Sequence, residues 1–99
     1  MSSTGTVDAS SRLVPSATVV SGPLGDELIL LNLEDGAYFS LSAVAALAWA
    51  DFDGRRSIRD IAQLVVREFE IDEETATRDL LELSSELLSA GLVQIVRVP

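Results

Sequence analysis

Apolar and polar positions along this chain change period partway through. From Glu27 to Leu41 the sequence ELILLNLEDGAYFSL reads as two extended runs split by Glu34-Asp35-Gly36, with a tight Asp35-Gly36 turn, which is a hairpin signal. Glu27 to Leu33 is almost unbroken aliphatic, placing Ile29, Leu31 and Leu33 on one face and Leu28 and Leu30 on the other. Ala37 to Leu41 alternates in the strand sense, with Phe39 and Leu41 on one face and Tyr38 and Ser40 on the other. An earlier β-like run, Ala17 to Val20, follows Pro15 and ends in the turn-rich stretch Ser21-Gly22-Pro23-Leu24-Gly25-Asp26. Together the three runs predict an antiparallel meander. The Leu28 and Leu30 face then needs a cover, either the Leu13-Val14 approach segment or a partner.

From Ser42 the period becomes helical. Ser42 is a good N-cap for a helix from Ala43 to about Phe52, whose Val44, Leu47, Ala48 and Trp49 leave little polar surface, as in a buried helix that Asp53-Gly54 stops. Ser57 and Asp60 form a capping-box pattern for a helix from Ile58 to about Glu70. Its apolar stripe is Ile58, Ile61, Ala62, Val65 and Phe69, with Arg59, Gln63 and Arg67 turned to water. Asp72 caps the last helix, where Ala76, Leu80, Leu83 and Leu87 fall on one stripe, and Gly91 is a natural stop. Leu92 to Val98 reads as a short closing strand. Residues 1–15, led by the polar stretch MSSTGTVDASS, are expected to be a flexible tail, and residues 16–99 one domain. The fold class is therefore α+β, a three-stranded antiparallel sheet followed by three helices and a short C-terminal strand, the outline of a winged helix-turn-helix.

Length and charge narrow what such a domain does. A chain of 99 residues hides only somewhat more than about 60% of its unfolded surface, so it builds one modest core and no large cleft. With 16 acidic and 7 basic residues its net charge is −9, which argues against nucleic acid, whose binding needs Lys and Arg to neutralise phosphates. The last helix carries Glu73, Glu74, Asp79, Glu82 and Glu86 against one Arg78, the wrong chemistry for a DNA-reading helix. No stretch reaches the roughly 18 apolar residues of a membrane span, and residues 1–11 have no signal-peptide pattern. A soluble cytoplasmic protein is expected.

The catalytic inventory is nearly empty. There is no His, Cys or Lys, so no Ser-His-Asp, Cys-His or Ser-Lys arrangement, no Schiff base and no imidazole or thiolate metal ligand. The glycines are dispersed, with no phosphate-cradling loop. Asp51-Phe52-Asp53-Gly54 lacks the remaining ligands of a calcium loop and reads as a helix stop, and Asp72-Glu73-Glu74 reads as a helix N-terminus. No enzyme, cofactor or metal is expected. A strand edge offered to a peptide is the function left standing. It would use the backbone of Ala37 to Leu41 and the side chains of Tyr38, Phe39, Ser40 and Leu41. Asp79, Glu82, Leu83 and Glu86 share or border one face of the last helix by their spacing of three and four.

The run LLNLEDGAYFSLSAVAALAW, then RRSIRDIAQLV, then ATRDLLELSSELLSAGLV resembles the PqqD-like domain, also called the RiPP recognition element, over roughly Val19 to Val96. A strand pattern, Gly36-Ala37-Tyr38-Phe39-Ser40-Leu41-Ser42, leads into Ala45-Ala46-Leu47-Ala48-Trp49, as in the stand-alone leader-binding proteins of lasso-peptide biosynthesis. Ser42 stands where Asn is common, which keeps the helix cap, and the longer tyrosine-rich strand motif of pyrroloquinoline quinone chaperones is missing. The resemblance implies an adaptor that binds a precursor's leader peptide as a strand added beside the third strand, with the third helix as the other wall, where Asp79, Glu82, Leu83 and Glu86 would meet an apolar leader anchor and its basic flanks. It further implies delivery to a separate cysteine protease and a macrocycle-forming synthetase. The alternative is a winged-helix protein-interaction or regulatory domain, dimeric through the Leu28 and Leu30 face.

Overall fold

The computed structural model describes residues 7–96. Strands β2 (Val19–Leu24), β3 (Glu27–Asn32) and β4 (Tyr38–Leu41) form an antiparallel sheet in that order. Helices α1 (Ala43–Ala50), α2 (Ile58–Phe69) and α3 (Glu73–Ser89) follow, then β5 (Val93–Ile95), which pairs antiparallel with a short β1 (Leu13–Pro15). This is the α+β architecture expected from the sequence. The last residues of the predicted closing strand, and the first six of the predicted tail, lie outside the described residues.

The helix ends are where the local signals place them. Ser42 accepts from the Ala45 N–H at 3.4 Å, and Ser57 and Asp60 complete a reciprocal capping box at 3.2 and 3.0 Å. Asp72 accepts from the Thr75 N–H and hydroxyl at 3.1 and 2.8 Å. At the end of α3, Leu92 N–H bonds Leu87 C=O at 2.9 Å and Gly91 N–H bonds Leu88 C=O at 3.1 Å, the paired bonds of a Schellman motif. Gly91 holds φ +77° there, a conformation a side chain resists.

β1 falls inside the stretch 1–15 expected to be a flexible tail, so that boundary is corrected. Leu13 is 1% exposed, and its neighbourhood is fastened by Gly54 N–H to Leu13 C=O and Val96 N–H to Arg12 C=O. Even Ala9 and Ser11 accept bonds from Arg59 and Ile58. A three-residue strand whose partner lies 80 residues away leaves too short a pattern to read.

The meander also differs in detail. β2 continues through Gly22-Pro23 to Leu24, and the turn is only Gly25-Asp26, with Gly25 at φ +62°. Proline is tolerated because β2 is an edge strand. The predicted tight Asp35-Gly36 turn is a five-residue loop, Leu33 to Ala37, closed by Asn32 N–H to Ala37 C=O and Gly36 N–H to Asn32 C=O, both 2.8 Å.

The faces of β3 are the most consequential correction. Leu30 is 0% exposed and Leu28 packs on the core, covered by α1, neither by the Leu13-Val14 segment nor by a partner. A dimer through the Leu28 and Leu30 face is thereby excluded. Leu31 and Leu33 stand on the open side, Leu33 at 64% exposure. The core itself joins Leu30 and Leu41 of the sheet to Ile58, Ile61 and Val65 of α2 and Leu80 and Leu87 of α3.

Candidate peptide-binding site

The sheet has two edges, and its hydrogen-bond phase decides what each offers. In an antiparallel pair, residues that exchange backbone bonds alternate with residues whose N–H and C=O point outward. The register pairs Leu30 with Phe39 and Leu31 with Tyr38, and the bond from Asn32 N–H to Ala37 C=O sets the phase. Phe39 and Leu41 therefore turn their backbone groups toward β3, as does the C=O of Ala37, whose N–H bonds the Asp35 carboxylate at 2.9 Å. Tyr38 and Ser40 turn theirs outward, away from the sheet.

The same reasoning on β2 gives a different edge. Leu33 N–H bonds Thr18 C=O, so Val19, Ser21 and Pro23 face outward. Val19 N–H is already spent on Ser16 C=O at 3.1 Å, and Pro23 has no N–H to give. β2 is blunted as natural edges are, whereas among the described residues no strand pairs with the outer side of β4.

Beside the end of β4 lies a cavity of about 300 Å³. Ser42, Val44 and Ala45 from the start of α1, Val65 and Ile71 from around α2, and Ala76, Asp79, Leu80 and Leu83 of α3 line it. Its wall is mostly aliphatic, with the exposed Asp79 as its one charged lining residue. Open edge and cavity adjoin at Ser42, the residue following β4.

The structure sorts the sequence-predicted residues. Tyr38, 69% exposed, and Ser40 present both side chain and free backbone, and Ser40 Oγ donates to Glu27 across the outer face. Phe39 is half-buried against the core and Leu41 is buried, so their side chains hold the strand down while Ala37 sits in the loop. Asp79 and Leu83 line the cavity; Glu82 lines the opposite flank of α3 with Glu74 and Arg78. Glu86 is exposed two turns beyond Asp79, close to it in angle around the helix. Among the described residues Asp79 has a loose partner in Arg78 at 3.8 Å, while Glu82 and Glu86 make no ion pair.

Sequence reasoning missed the α1 contribution. The apolar pattern places Val44 in a buried helix, yet Val44 and Ala45 line the cavity because α1 starts immediately after the edge strand. The signal present in the sequence was the Ser42 cap, which ties the end of β4 to the beginning of α1. Among the described residues there is no cluster of three or more metal-ligating side chains, and no helix long and apolar enough to cross a membrane.

Fold and edge together define a small α+β domain whose three-stranded sheet ends in an unpaired β4 among the described residues. Comparison with family models matches residues 27–93 to coenzyme PQQ synthesis protein D, and the chain belongs to this PqqD family. It is similar to TbiB1, solved in complex with the TbiA(beta) leader peptide, at 31% identity and TM-score 0.72, covering 81% of this chain and 93% of that one. It also shares its fold with a lasso peptide synthetase B1 complexed with the leader peptide, at 24% identity and TM-score 0.74, over 89% of this chain and 99% of that one. A search of curated protein sequences found no match.

Proposed function

We propose that this protein is a non-catalytic adaptor that binds the leader segment of a ribosomally made precursor peptide by strand addition to β4. It acts in the cytoplasm in a lasso-type maturation, delivering the precursor to a separate cysteine protease and a macrocycle-forming synthetase. The observation that carries this reading is the outward-facing backbone of Tyr38 and Ser40 on an unblocked edge that runs into an aliphatic cavity. Likeness to TbiB1, whose complex holds a leader peptide, supports it.

In this reading the peptide lies extended along β4 and exchanges backbone bonds with Tyr38 and Ser40, each worth about 1 kcal/mol net. Alternate side chains of the guest turn toward α3, where one apolar anchor enters the cavity beside Leu83. Basic flanks of the anchor meet Asp79 and Glu86, while Glu82 lies on the far flank of α3. The edge supplies affinity for any extended chain, and the cavity supplies selection. Catalysis is left to the partners, since the chain has no His, Cys or Lys to perform it.

Fluorescence anisotropy with the labelled leader encoded beside this protein tests the reading. Saturable binding with a Kd below about 100 μM is expected, and its absence overturns the proposal.

A further inference from the structure

The two walls of the groove are joined at one end through a single side chain. Asn32, the last residue of β3, is 3% exposed. Its Oδ1 accepts from the Thr18 hydroxyl at 2.8 Å and from Glu34 N–H at 2.9 Å, and its Nδ2 donates to Gly91 C=O at 3.4 Å. Its backbone bonds Ala37 and Gly36 across the loop that delivers the chain to β4. Gly91 is the residue that terminates α3, and the Asn32 amide sits within 3.9 Å of the place where a Gly91 side chain would begin. The Tyr38 end of the edge strand and the C-terminal end of the helical wall are thus tied, while α1 and the cavity separate the two walls at the Ser42 end.

We infer that Asn32 is a positioning residue for peptide binding: its carboxamide sets the β3–β4 loop and holds β4 at a fixed spacing from α3. The inference rests on the strand-addition reading above. A buried amide needs its partners, because an unmatched polar group in the interior is costly. Here both halves are used, the oxygen on the sheet side and the nitrogen on the helix side. Aliphatic side chains of similar size fill the space and satisfy neither. Ser16 Oγ also donates to Gly91 C=O, at 2.7 Å, but fastens only the β1–β2 connection, which makes it a natural control.

Asn32→Asp separates the two halves. It keeps an acceptor for Thr18 and Glu34 and sets a carboxylate against the Gly91 carbonyl. Leader affinity at pH 7.5 should fall by at least about tenfold, and the ratio of variant to wild-type Kd should shrink as acid protonates the new carboxyl and restores a donor. Ser16→Ala should lower the melting temperature with affinity within about twofold of wild type. Thr18→Val, at an exposed position, removes only the hydroxyl that orients the amide and should weaken binding by an intermediate factor even if Asn32→Asp fails to fold.

A peptide-free readout keeps this inference distinct from the function itself. The chain has no cysteine, so a nitroxide on Ser89→Cys is a unique probe at the end of α3. It should broaden the Tyr38 and Ser40 amide signals less in Asn32→Asp, or in Thr18→Val, than in the otherwise wild-type chain. Unchanged broadening, or leader affinity within about twofold of wild type at pH 7.5 for Asn32→Asp, overturns the inference. Failure of the wild type to bind leader sinks the strand-addition reading, and the nitroxide comparison then decides the role of Asn32 alone.

Discussion

Tyr38 lies opposite Leu31 in a pair that exchanges no backbone bonds, so the N–H and C=O of Tyr38 point away from the sheet. Leu31 bonds instead to β2 on its other side. From this phase follows a contrast between neighbours on one strand. Tyr38→Pro removes an outward donor and leaves the ladder intact, so leader affinity should fall by roughly five- to thirtyfold, with a small change in melting temperature. Phe39→Pro removes an inward donor and should unfold the sheet. Paired anisotropy titrations and thermal melts of the two variants check the phase directly.

The cavity makes an independent demand. Leu83 is half-buried at its wall, and Leu80 one turn earlier is buried in the core. Leu83→Asp should leave a folded protein whose leader affinity drops at least about tenfold, because an apolar anchor would face a desolvated carboxylate. Leu80→Asp should fail to fold. If Leu83→Asp binds as wild type does, the anchor does not enter this cavity.

Which side of β3 belongs to the core is testable by stability alone. Leu30→Ala should cost about 2–5 kcal/mol in urea unfolding, as a fully buried leucine does. Leu33→Ala, on the exposed side, should change stability by less than about 0.5 kcal/mol. Equal effects at the two positions would contradict the arrangement of the sheet.

This face was the least legible feature in the sequence. A run such as Leu28 to Leu33 has no alternation, so period 2 cannot say which leucines turn inward, and only the placement of α1 over Leu30 resolves it. Helix starts at Ser42, Ser57 and Asp72 were legible because capping depends on residues within one turn. β1 was not, since its stability comes from β5 at the far end of the chain. In the site, the Tyr38 and Ser40 face was readable from alternation. The hydrogen-bond phase was not, because it depends on how the Leu33 to Ala37 loop closes, and neither was the part of α1 in the cavity.

Acid should loosen the helices at their starts. Asp60 sits below the ordinary Asp value of 3.8 because the Ser57 N–H and then its hydroxyl donate to it, and Asp72 does so through the Thr75 hydroxyl and N–H. A carboxylate with a lowered folded-state pKa contributes stability that is present above the unfolded value and lost as pH falls through the folded one. Stability should hold from pH 7 to about 5 and decline below about 4. Asp60→Asn and Asp72→Asn should flatten that decline in melts recorded against pH.

The central claim is that a leader peptide becomes a fourth strand beside β4. Amide hydrogen exchange, measured by NMR with and without saturating leader, addresses it at single residues. Strand addition predicts strong slowing at Tyr38 and Ser40, with Ser21 on the opposite edge unchanged. Saturable binding that leaves the Tyr38 and Ser40 amides exchanging as fast as in the free protein would contradict it.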